Sequence, residues 1–92
     1  MSSLPLTAVP RLKPGVRRRF DPARGQNVLL APERVLMLDD IANAVLEKLD
    51  GVTSIGSLCA GLATTYETDL ATVEADVLAL LDELLSKGMI RT

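Results

Sequence analysis

Between residues 16 and 38 apolar positions recur every second residue or in short unbroken runs, whereas beyond residue 39 they recur at spacings of three and four. That change of period separates strands from helices. VRRRFD sets Val16, Arg18 and Phe20 on one side of a strand and Arg17 and Arg19 on the other, and PARGQN supplies turn chemistry before a second strand, VLLA. Within LLAPERVLMLDD, residues 29–40, Pro32 cannot donate to a sheet ladder, so it marks a turn and leaves ERVLML, residues 33–38, as a separate third strand. Alternation places Leu36 and Leu38 on one face of that strand and Val35 and Met37 on the other. Both faces are thus apolar, which is more than a small sheet covered by helices on one side requires.

Helical spacing begins at Asp39 and Asp40, either of which can accept hydrogen bonds from first-turn amides, and continues through Ile41, Val45 and Leu49 to a stop at Asp50 and Gly51. Thr53 or Ser54 caps a second helix with Ile55, Leu58, Cys59 and Leu62 inward, ending near Tyr66. Asp69 caps a third that runs to Lys87 and Gly88, with Leu70, Val73, Val77, Leu80, Leu81 and Leu84 as its core stripe and MIRT as a short extended tail. A second stripe, Ala71, Ala75, Leu78 and Leu85, leaves that helix open to two readings, a wide core face or a face for a partner. The expected fold is α+β and winged-helix-like, a three-stranded antiparallel sheet followed by three helices. Pro5, Pro10, Pro14 and Gly15 interrupt residues 1–15, expected to be a flexible N-terminal arm ahead of a domain over residues 16–92.

Composition narrows the class. Ninety-two residues suit one small domain, and with 48% apolar but only 2% aromatic residues its core must be aliphatic. One cysteine permits no intrachain disulfide, the start lacks signal-peptide character, and no apolar run is long enough to span a bilayer, so a soluble cytoplasmic protein without membrane contact is expected. Charge is uneven. Arg11, Lys13, Arg17, Arg18, Arg19 and Arg24 face only Asp21 in the first 24 residues, and the rest of the chain is acidic. A basic head attracted to an acidic body, or simply solvated, is the plainer reading beside a dedicated anionic partner.

Chemistry-bearing residues are few. Without histidine the commonest general base and metal ligand is missing, and Cys59, at helical spacing among Ile55 and Leu62, reads as a small core residue. The neighbouring carboxylates Asp39 and Asp40, or Asp82 and Glu83, diverge on a helix and form no dyad. The glycines are scattered and make no phosphate loop. A binding module is expected, not an enzyme, with no cofactor and no metal. The alternative is a winged-helix nucleic-acid-binding regulator, with RLKPGVRRR on phosphates. Against it, residues 67–86, the third helix and its start, contain Glu67, Asp69, Glu74, Asp76, Asp82 and Glu83 without one basic side chain, and a polyanion would repel them.

LLAPERVLML, the aspartate-capped helix ending in LDG, and VEADVLALLDELLSKGMI together resemble the PqqD family of pyrroloquinoline quinone biosynthesis, over residues 11–91 in order and spacing. The resemblance implies a recognition element that binds the precursor peptide PqqA and presents it to the radical S-adenosylmethionine enzyme PqqE, which joins a glutamate and a tyrosine side chain within PqqA. It also implies that the peptide adds as a strand beside the third strand, along Glu33, Arg34, Val35, Leu36, Met37 and Leu38. The facing wall on the third helix would be Val73, Asp76, Val77, Leu80 and Leu81. Arg18 stands where many relatives have an apolar residue, and a hairpin loosened there could exchange between copies, so the expected state is a monomer or a domain-swapped dimer.

Overall fold

The computed structural model describes residues 4–92. In chain order its elements are β1 (Arg11–Leu12), β2 (Arg17–Asp21), β3 (Gln26–Ala31), β4 (Arg34–Leu38), α1 (Asp40–Glu47), α2 (Ile55–Thr65), α3 (Leu70–Ser86) and β5 (Ile90–Arg91). β2, β3 and β4 form an antiparallel sheet in that order, and the three helices follow, so the expected α+β order is the one observed.

Local chemistry accounts for the boundaries. Asp39 accepts from the Ala42 amide at 2.7 Å and starts α1, Ser54 accepts from the Ser57 amide and starts α2, and Asp69 accepts from the Thr72 amide and starts α3. Gly51 and Gly88 follow α1 and α3 with positive φ, the conformation a helix exit favours and a side chain resists. Between α1 and α2, Asp50 accepts from the amides of Val52 and Thr53 at 2.9 and 2.8 Å and from the Thr53 hydroxyl at 2.8 Å. Those donors, the Val52 amide foremost, hold its carboxyl down at about 2.

A pH test follows from that shift. Because the folded value lies below the ordinary 3.8, the loop's contribution is present above about pH 4 and is lost as pH falls through about 2. Asp50→Asn is expected to lower stability near neutral pH and to flatten the loss of stability between about pH 4 and about pH 2. Denaturant titrations at both ends of that window check it.

The core is aliphatic, built from Leu29 and Leu38 of the sheet, Val45 and Leu46 of α1, Ile55, Leu58, Cys59 and Leu62 of α2, and Val77, Leu81 and Leu84 of α3. Met89 and Ile90 close it at the C-terminal end. Burial pushes the Cys59 thiol up, and Glu74 adds to that, so the group is an uncharged core filler. Two stripe residues lie elsewhere: Ile41 and Leu70 are exposed, and Ala42 takes the inward place beside Ile41.

Residues 1–3 of the expected flexible arm lie outside the described residues, and from residue 4 onward the segment is docked on the helices. Leu4 and Pro10 are buried, and the carbonyls of Leu6 and Ala8 accept from the Gly56 and Ile55 amides, two first-turn donors of α2 that would otherwise lack partners. A Cβ on Gly56 would lie 3.3 Å from the Leu6 carbonyl oxygen, so the strap passes at close range. β1 then pairs antiparallel with β5, and Lys13 donates its amide to Met89. Proline prevents regular structure in such a segment, but it does not prevent docking through carbonyls and apolar side chains.

Candidate functional site

The register of the β3–β4 hairpin decides which groups the sheet leaves open. Ala31 pairs with Arg34 across the two residues Pro32 and Glu33, so that pair must exchange both of its backbone bonds. Hydrogen-bonded pairs then alternate along the ladder. Leu36 with Leu29 and Leu38 with Asn27 are bonded inside the sheet, whereas the N–H and C=O of Val35 and Met37 point to the free edge of β4. Each of these two residues thus offers one donor and one acceptor to an added strand.

Side chains sort by the same alternation. Leu38 is buried and Leu36 packs against the core, while Val35 and Met37 stand on the opposite face, each about half exposed. Glu33 lies outside the strand, with φ 68° at the second corner of a turn whose first corner is Pro32, the type II arrangement. The strand therefore begins at Arg34, one residue later than Pro32 alone suggested, because the left-handed Glu33 also belongs to the turn. Arg34 is exposed at that end and has no ion-pair partner among the described residues.

At its other end β4 runs through Asp39 into a groove between α1 and α3. One part, about 240 Å³, is lined by Asp39, Ile41, Ala42, Val45, Asp76, Val77 and Leu80. A second, about 80 Å³, shares Ile41, Asp76 and Val77 and continues to Leu62, Tyr66, Thr68 and Val73. Four of the five α3 positions named from the resemblance, Val73, Asp76, Val77 and Leu80, come together here. Leu81 does not, because its side chain is fully buried in the core and lines neither part of the groove.

Periodicity assigns Ile41 and Leu62 to the core and gives Tyr66 and Thr68 no role, yet all four line this wall. The floor is apolar and the two carboxylates differ in availability: Asp39 is engaged as the α1 cap, whereas Asp76 is exposed on α3 without an ion pair among the described residues. An extended peptide lying on β4 would find outward backbone groups first and apolar sockets beyond them. No helix among the described residues is long and apolar enough to cross a membrane.

A family model described as coenzyme PQQ synthesis protein D (PqqD) matches residues 26–90. The PqqA binding protein of Xanthomonas euvesicatoria pv. vesicatoria is 45% identical over 91 residues, 99% of each chain. Among solved structures, the PqqD truncation of Methylobacterium extorquens PqqCD, determined by solution NMR as a functional stand-alone RiPP recognition element, superposes with a TM-score of 0.86 at 43% identity, covering 99% of this chain and 97% of that one. Lasso peptide synthetase B1 complexed with its leader peptide superposes with a TM-score of 0.78 at 26% identity, over 92% of this chain and all of that one.

Proposed function

The chain belongs to the PqqD family, and from that premise we propose that it binds the precursor peptide PqqA as an added strand and presents it to the radical S-adenosylmethionine enzyme PqqE. The observation that carries this is the open edge of β4: Val35 and Met37 turn their backbone groups outward, and the strand leads into the apolar groove of Ile41, Val73, Val77 and Leu80. Main-chain bonds along such an edge supply affinity and the sockets beside it supply register. A structurally similar synthetase has been solved in complex with a leader peptide, which supports peptide binding by this fold.

Within this reading the domain is a cytoplasmic peptide chaperone and not itself an enzyme, the bond-forming chemistry residing in PqqE. It works as a monomer, or as a dimer swapped through the N-terminal hairpin that leaves the β4 edge open to the peptide. Arg34 sits at the turn end of the edge and can meet an acidic peptide side chain, adding on the order of 0 to 1 kcal/mol as an exposed pair.

Titrating PqqA into the labelled protein while following backbone amide shifts tests the site. Val35, Met37 and the groove-lining residues of α1 and α3 are expected to move, with Leu81 shifting less than Leu80. Saturable binding that leaves all of β4 and α3 unmoved would place the peptide elsewhere.

A further inference from the structure

The sheet has a face that neither the core nor the proposed peptide edge uses. Direct pairing puts Arg17, Leu30 and Val35 in one row across the three strands and Arg19, Val28 and Met37 in the next, all on the side away from the helices. Val35 and Met37 are 55% and 48% exposed, while Val28 in the middle of the face is 2% exposed, so the centre is an apolar strip that its neighbours already pack. A shallow depression of about 170 Å³ beside it is lined by Arg19, Asp21, Arg24, Val28, Leu30 and Val35.

The arginines differ in what they hold. Arg18 reaches Asn43 and Glu47 on the other face, and Arg24 pairs with Asp21 at 3.2 Å. Arg17 and Arg19, both exposed, have no carboxylate partner among the described residues. Two uncompensated guanidinium groups thus border an exposed apolar strip, the combination of residue types enriched where proteins meet proteins.

We propose that this outer face is where the domain docks the enzyme that receives its peptide, an inference that rests on the presentation role, and that the enzyme meets it with an acidic surface around an apolar centre. Charge selects the partner: an acidic ring satisfies Arg17 and Arg19 and steers the encounter, while the acidic α3 is repelled from the same surface. A bilayer fits less well, because neither aromatic ring lies on this face to anchor in an interface: Phe20 is on the opposite side of the sheet and Tyr66 ends α2. A strand added to β4 would stand every second side chain beside Val35 and Met37, so the enzyme would touch peptide and domain on one continuous surface.

The test uses the full chain with Arg17→Glu and Arg19→Glu together, Leu30→Thr, and Arg91→Glu as an exposed charge reversal on β5, off this face. Affinity for purified PqqE and for PqqA peptide is measured separately, with folding checked by circular dichroism. The double reversal is expected to weaken enzyme binding by about tenfold or more, and Leu30→Thr by about threefold. Both should leave peptide affinity unchanged, and parent binding to the enzyme should weaken with salt. A double variant that binds the enzyme as well as Arg91→Glu does would overturn the assignment. So would occupation of the face by anionic phosphatidylglycerol vesicles or by a second copy in sedimentation. If the enzyme ignores the parent chain while the peptide still saturates it, docking fails and peptide binding stands; if the peptide fails as well, the reading beneath falls with it.

Discussion

Met37→Pro is expected to remain folded and to bind PqqA about tenfold more weakly, whereas Leu36→Pro, one position away, is expected to damage the sheet itself. The difference comes from the ladder. Leu36 is bonded to Leu29 within the hairpin, and its side chain packs against the core. Proline there removes an internal donor and a core contact together, a loss on the order of 3 kcal/mol. Met37 directs its N–H to the open edge and is half exposed, so proline is tolerated in the way edge strands tolerate it. What Met37→Pro removes is one donor to the incoming strand, about 1 to 1.5 kcal/mol net, which is close to a factor of ten. Thermal melts and peptide titration on both variants separate the two effects. Unchanged affinity in a folded Met37→Pro chain would count decisively against strand addition.

That pair also shows which features could be read from the chain before its structure. Strand alternation was legible because its period is short: Leu36 and Leu38 turn inward and Val35 and Met37 outward, as their order requires. The caps were legible for the same reason, since Asp39 and Asp69 act on amides three residues away and need no tertiary partner. Which backbone groups of β4 are free was not legible. It depends on the hairpin closing over Pro32 and Glu33, and a turn one residue longer would have exchanged bonded for open positions.

The groove and the strap failed to show for a related reason. Ile41 has the spacing of a core residue, yet α1 is rotated so that Ala42 packs inward and Ile41 faces α3 across the groove. Periodicity gives a stripe but not its centre, and the centre is set by what the helix packs on. Residues 4–12 carry no repeating pattern at all, and their docking depends on carbonyls meeting the exposed amides at the start of α2. The only sequence sign was apolar content in a segment broken by prolines, which by itself suits a loose arm equally well.

Leu80 and Leu81 turn the same distinction into a measurement. Consecutive helical residues point about 100° apart, so of two adjacent leucines only one can be central to a given face. Leu81 is wholly buried against the core, and Leu80 lines the groove beside Asp76 and Val77. Leu81→Ala is expected to cost about 3 kcal/mol or more, from lost burial and the cavity left behind, a large share of the stability of a domain this small. Its residual folded fraction should bind PqqA with nearly parental affinity. Leu80→Ala should cost less than about 1 kcal/mol in stability, because its side chain is only partly buried, yet weaken the peptide several-fold by removing part of a socket wall. Denaturant midpoints and peptide affinities on the two variants give four numbers whose pattern is the prediction. Equal effects on stability would mean that α3 is not fixed in this rotation, and a binding defect confined to Leu81→Ala would put the peptide on a different side of the helix.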